Sequence, residues 1–437
     1  MKSLKIKTGA EVLIFTINML FLLFPLSFLK SQNVVNNGNN IVISSGSYLI
    51  IDGDYINLSS MSDGSVDIDG TMLIKGDWIN NALSPVFINT ESNPDGTVVL
   101  DGTNPQIIGG TQPTHFENLS LKHSIKTIQI TNCIVNGILS INAILDLNKN
   151  KLVLNNNSPQ AINYISKYIL SETLPSQGYG EIQWIIGNSR GTYSIPFGSG
   201  LSSDADLKLN LTTITPGNPS TGNISFATYP TDCYNNEFPL NATEMNYNPR
   251  MVVDRYWVID PDYSINKPDV DIVFQYNSTD VENCNDEINQ QNLKAIRYNT
   301  SLMTWDDMAP TGIADKSIKT VSVNSILQNN FYAPWALLSE MQEVDIFIPN
   351  SFTPDGDGLN DYFAPVGQGL DRYEFLMYIF DRWGEVIYQT NDLNKPWDGK
   401  FSKSGNKAPI GVYTWLIKLT SESGKDYNYN GTVTLLR

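Results

Sequence analysis

From residue 33 onward the apolar residues of this chain come in short bursts. Val66-Asp67-Ile68, Thr71-Met72-Leu73, Ile125 to Ile130, Ile138 to Ile141 and Lys151 to Leu154 are each cut off by Gly, Asn or Asp. None repeats at the helical period. The alternation and the turn residues read as strand, bend, strand. One burst recurs: Ile50-Ile51-Asp52-Gly53-Asp54-Tyr55-Ile56-Asn57 is matched 23 residues later by Leu73-Ile74-Lys75-Gly76-Asp77-Trp78-Ile79-Asn80, and Val99-Leu100-Asp101-Gly102 follows as a weaker copy. A period in the twenties containing several short strands predicts the coils of a parallel β-solenoid over 33–172. A β-sandwich with long hairpins is the alternative. In a coil, Gly53 and Gly76 sit at stacked bends and Tyr55 lies against Trp78.

Thr173 to Gly180, with Pro175, reads as a joint. Beyond it the runs lengthen and alternate: Asp206 to Thr212, Gly222 to Thr228, Arg255 to Ile259, Val270 to Tyr276, Leu293 to Tyr298 and Lys319 to Val323. Their spacing and Pro/Asn/Asp turns predict an antiparallel β-sandwich over 181–340, with Trp184, Trp257, Trp305 and Trp335 in its core. A third unit spans 344–437. Phe375 to Phe380 and Glu385 to Tyr388 flank a turn at Asp381-Arg382-Trp383-Gly384, and Gly411 to Thr420 pairs back with Tyr427 to Leu436. The fold class is all-β throughout, ending in an Ig-like β-sandwich.

Composition narrows the function. With 45 Asp+Glu against 28 Lys+Arg the 437-residue chain carries −17, which argues against nucleic acid, since phosphate binding needs clustered cations. Hydrophobic residues at 41% argue against disorder. Two histidines, His115 and His123, exclude a three-histidine metal site. The N-terminus reads as a signal peptide over 1–31: Lys2, Lys5 and Lys7 precede an apolar stretch from Val12 to Leu29, with Pro25 near its end and Ser31 as a small residue at the cut. A retained membrane anchor is the alternative. Of the three cysteines, Cys133 reads as a small buried hydrophobe, while Cys233 and Cys284 could pair after export.

The motifs of the third unit occur in a telling order. Pro349-Asn350-Ser351-Phe352-Thr353-Pro354-Asp355-Gly356-Asp357-Gly358-Leu359-Asn360-Asp361 opens it. Asp381 to Tyr388, Trp397-Asp398-Gly399, and Ala408-Pro409-Ile410-Gly411-Val412-Tyr413 follow, and Gly431 to Arg437 closes it. In these residues 344–437 resembles the type B C-terminal sorting domain of type IX secretion, also called the gliding-motility-associated C-terminal domain. Asp355 stands where that family often has Asn. The resemblance implies an address: a signal peptide for the inner membrane, then the type IX secretion machinery for the outer membrane, and a final place on the cell surface or outside the cell. The N-terminal repeats loosely resemble stretches of other secreted proteins of this class.

Chemistry is sparse. Asp355, Asp357, Asn360 and Asp361 set oxygen donors around glycines and make a candidate Ca²⁺ site, to which Asp398 could add a ligand. It is not an EF-hand, because Leu359 and Val366 fall at the fifth and twelfth positions. The plain alternative is an Asx/Gly turn with solvated carboxylates. Lys122, His123 and nearby acids could support proton abstraction from a polysaccharide, although two histidines on a polar stretch are commonly solvated. Pairs such as Asp67/Asp69, Asp204/Asp206 and Asp306/Asp307 are expected by chance in so acidic a chain. There is no GxSxG, HExxH, GxGxxG or Walker loop. The expected protein is therefore exported, adhesive or glycan-binding and not an enzyme, with surface polysaccharide or the outer-membrane surface as partners. A secreted carbohydrate-active enzyme of the solenoid type is the alternative.

Overall fold

The computed structural model describes residues 32–437 except 60–62, 84, 89–94, 173–177, 201–203, 240–241, 244, 246, 248, 283–287, 307–309, 340–345, 368–369, 371–372 and 422–425. The leader expected over 1–31 lies outside the described residues, apart from the backbone strands Lys5–Thr8 and Glu11–Ile14. The chain divides into two compact units, Met1–Glu340 and Met341–Arg437.

The repeats form a parallel β-solenoid of about six turns. Every full turn places one strand on each of two long stacks. Seven strands from Val34–Asn37 to Ile169–Leu170 make one, and six from Tyr48–Ile51 to Ile162–Tyr164 make the other. Between them runs a third side, built from Asn40–Ile43 on Ser65–Ile68 and, further along, Thr114–Phe116, Cys133–Val135 and Lys151–Leu154. The 23-residue repeat is one turn. Tyr55 stands in register with Trp78, their rings stacked at 4.7 Å, and the Gly76 N–H donates to the Gly53 carbonyl at 2.8 Å. A Cβ on Gly76 would lie 2.4 Å from the Gly53 carbonyl carbon, so the bend excludes a side chain there.

The Asp and Asn positions that recur beside this bend satisfy backbone groups one turn or one bend away. Asp54 Oδ1 accepts the Asp77 N–H at 2.8 Å, and Asp77 Oδ1 accepts the Ile107 N–H at 2.8 Å. Asn36, Asn57 and Asn80 stack in register inside the coil. Their amides donate to the carbonyls of Ser65, Gly64 and Pro113. Buried amides are tolerated because each finds a partner. Further along, Gln106 and Lys126 share a register in the same stack, and the buried Lys126 ammonium donates to the Gly102 carbonyl at 3.2 Å.

The coil does not end at residue 172. Its third side passes from Lys151–Leu154 to Glu181–Trp184 in parallel, and Glu181–Trp184 pairs antiparallel with Asn223–Pro230 on its other edge. Val252–Asp262, Trp335–Ser339, Leu293–Asn299 and Thr304–Asp306 extend this into a nine-stranded sheet. Facing it is an antiparallel five-stranded sheet of Gly191–Ile195, Leu209–Thr215, Asp269–Gln275, Thr320–Ile326 and Ile313–Asp315. Trp257 and Trp335 pack on Phe274, each at 5.5 Å, and Trp184 packs on Tyr193 at 5.0 Å. One apolar core runs through coil and sandwich alike. Residues 173–177, the middle of the expected joint, lie outside the described residues. Their flanks are tied, since Ser171 Oγ donates to the Gly180 carbonyl at 2.5 Å.

The second unit is a five-stranded sheet in the order Ser351–Phe352, Asp426–Leu435, Gly411–Ser421, Tyr373–Phe380, Val386–Thr390. A separate two-stranded ribbon pairs Ile346–Phe347 with Val366–Gly367, with Ile346 packed against a core filled by Phe352, Phe363, Trp397 and Trp415.

Lys126 gives the coil a pH signature. Burial pushes its ammonium down to about 8, against the pull of Asp101. An unfolded lysine titrates near 10.4, so between about pH 8 and 10.4 the unfolded chain holds more protons and stability rises with pH. Urea melts should show the natural chain gaining about 1–3 kcal/mol relative to Lys126→Met between pH 7.5 and 10. Parallel pH dependence in the two proteins would contradict this.

Candidate functional site

The opening motif of the second unit folds into a tight exposed loop. Gly356 and Gly358 take φ of 89° and Asn360 a φ of 55°, the left-handed region that glycine and asparagine tolerate best. Asp361 is the anchor. Its two carboxylate oxygens accept the Gly356 and Gly358 N–H groups at 2.7 and 2.8 Å. Asp355 Oδ1 accepts the Asp357 N–H, and Asp357 Oδ1 the Leu359 N–H, at 3.1 and 2.8 Å. The Asn360 carbonyl accepts the Thr353 N–H at 2.8 Å.

This folding brings three of the four candidate ligands together. Carboxylate oxygens of Asp355, Asp357 and Asp361 lie within 4.8 Å of one another. Ligands 2.3–2.6 Å from a calcium ion are at most about 5 Å apart, so the donor set fits a hard cation in chemistry and span. The same oxygens already accept backbone N–H groups, so the loop also holds as a turn. Asn360 takes part through its backbone. Asp398 is engaged elsewhere, with Oδ2 2.6 Å from Lys400 Nζ.

The other motifs are bends and strand ends of this fold. Asp381 Oδ1 accepts the Trp383 and Glu385 N–H groups. Trp397 is buried, with its indole N–H on the Lys400 carbonyl at 2.9 Å. The Tyr413 hydroxyl reaches the Pro409 carbonyl at 2.7 Å, and the Arg437 guanidinium donates to the carbonyls of Ala408 and Gly399.

In the solenoid, Lys122 and His123 meet Asp101 at one corner. Lys122 Nζ and His123 Nε2 lie 3.9 and 3.2 Å from Asp101 Oδ1. Two turns back, Lys75 bridges Asp52 at 2.7 Å, so the corner alternates in sign along the stack. His115 is not brought to this group; it stands exposed on the third side, opposite Ile134. Cys133 is buried and its thiol is pushed up to about 12 by burial, as an inert core group requires. Cys233 is a half-buried free thiol, and Cys284 lies outside the described residues.

One buried group left no trace in the sequence pattern. Arg255 is wholly buried, with Nε 2.8 Å from Asp280 and Nη2 2.8 Å from Glu172. It sits inside a run that reads simply as a core strand, and its partners are distant in sequence.

Residues 346–435 match the family model of the CHU_C Type IX secretion signal domain. No curated protein matches the chain. The match covers the unit that holds the Asp355–Asp361 loop and the bends above, and it assigns that unit to the type IX sorting signals.

The loop makes a clean measurement. Asp361→Ala should lower stability by about 1–3 kcal/mol through the loss of two hydrogen bonds to a charged acceptor. A melt in excess calcium against chelator separates the two readings. A bound ion raises the melting temperature by several degrees, and Asp355→Ala removes the rise. Equal melting points leave the motif as a turn.

Proposed function

We propose that this is an exported adhesive or glycan-binding protein, not an enzyme, whose solenoid and sandwich are the cargo of its C-terminal sorting domain. The export half rests on the family match, which implies type IX secretion, contact with its machinery, and a final place at the cell surface or outside the cell. The cargo half rests on the coil. Ser120, Ser140 and Asn163 stand in register on successive strands, partly or fully exposed, with Lys122 and Asn142 paired alongside. Rungs spaced about 4.8 Å apart present hydroxyl and amide groups as a ruled surface, suited to an extended polymer. The enzyme reading keeps one favouring observation, the contact of Asp101 with His123 and Lys122. That group lies on an exposed corner and is accounted for by charge pairing along the stack.

Two experiments test this. In a bacterium with type IX secretion, the chain truncated after Glu340 should accumulate in the periplasm. Its arrival outside at the full-length level would refute the sorting role. The purified full chain should sediment with at least one insoluble polysaccharide without releasing soluble sugar. Released product that disappears in His123→Ala would favour the enzyme.

A further inference from the structure

One end of the five-stranded sheet holds a cleft of about 400 Å³ that no role above uses. It forms where three strand ends converge: the approach to Leu209–Thr215, the exit from Asp269–Gln275 and the start of Thr320–Ile326. The side chains it presents can all hydrogen-bond. Asp206 is held by the Ser199 N–H and hydroxyl at 2.8 and 2.9 Å. Across from it the Lys319 ammonium donates to the Ser278 hydroxyl. Gln275 and Asn277 complete the polar lining.

The walls are braced from beneath. The Asn277 side-chain oxygen accepts the Asp280 N–H at 3.0 Å, and Asp280 in turn holds the buried Arg255. Arg255 also holds Glu172, whose second oxygen accepts the Gly200 N–H at 3.1 Å beside Ser199. The polar groups are thus set in place before any ligand arrives, which reduces the ordering cost of binding. Lys319 adds an independent sign. Its φ of 53° is one that glycine adopts freely and lysine does not. The turn therefore carries a strained residue whose side chain serves the cleft, and strained residues of this kind concentrate at ligand sites.

We propose that this cleft binds a neutral saccharide unit, an assignment that rests on the glycan-binding reading above. Asp206 accepts from sugar hydroxyls, Lys319 donates to them, and the two amides can do either. Among the lining residues the one carboxylate, Asp206, is offset by the one ammonium, Lys319, while the chain as a whole carries −17 and repels acidic polymers. The volume lies at the small end of ligand sites and suits a mono- or disaccharide.

The test is calorimetric titration of the purified full chain with cellobiose, xylobiose, mannobiose, N,N′-diacetylchitobiose and, as the acidic comparison, digalacturonate. At least one neutral disaccharide should bind and digalacturonate should not. Lys319→Gly should weaken that binding about tenfold or more while melting with or above the natural chain, because glycine relieves the strained turn. Asp206→Asn should weaken it similarly, and Ser278→Ala gives a second, milder change on the Lys319 side. Binding unchanged in all three variants would overturn the cleft assignment and leave the glycan-binding reading intact. The same holds if polysaccharide sediments the protein but no disaccharide binds. Preference for digalacturonate would overturn the neutral-ligand assignment.

Discussion

A stack of parallel strands cannot end by itself, because its last strands present rows of unpaired N–H and C=O groups. In this chain the exit from the coil is resolved by one short strand, Glu181–Trp184. It takes the parallel ladder of Lys151–Leu154 on one edge and offers its other edge to the antiparallel Asn223–Pro230. The sandwich is in this sense the cap of the solenoid, grown from the coil's own third side. A parallel bridge from Ile169 to Phe197 ties a second stack to the same cap. The Arg255 network gains its burial from this arrangement, and the polar cleft its rigidity.

Within the coil the governing constraint is that each residue's neighbour is its own counterpart one turn later. Equivalent positions therefore carry compatible groups: Tyr55 on Trp78, Asn57 on Asn80, and Asp54 followed by Asp77. Aspartates can succeed one another because each carboxylate caps the next turn's backbone N–H. At the outer corner, where full charges stand within a few ångströms, Asp52 meets Lys75 and Asp101 meets Lys122. Like charges at that spacing would work against the stack.

Much of this was legible because it is local or periodic. The Gly53/Gly76 offset is a covalent period, so it read directly as a turn of coil. In the second unit, Gly411–Ser421 alternates residue by residue, which puts Tyr413, Trp415, Ile417 and Leu419 on one face, and all four are buried. The Asp355–Asp361 loop spans seven residues and carries its glycines with it. Pairing between distant strands was not legible. Nothing in Glu-Ile-Gln-Trp at 181–184 signals a strand with a parallel and an antiparallel edge. Trp335–Ser339 inserts between Val252–Asp262 and Leu293–Asn299 against chain order. The cleft joins Asp206 to Lys319 across more than a hundred residues, and on sequence alone Asp206 was one of many chance acidic pairs.

The shared strand also gives the passenger a direction. A free-standing solenoid frays from both ends, since each turn is held only by its neighbours. Here the later end is welded into a two-sheet core. Among the described residues, the first turn is flanked by the second turn on one side and by the backbone strands Lys5–Thr8 and Glu11–Ile14, the former along Asn40–Ile43, on the other, and its Tyr48 and Ile50 are exposed. Loosening is therefore expected to start in the turn of Val34 and to travel toward the sandwich. The part of the passenger nearest in sequence to the sorting domain is the last to give way.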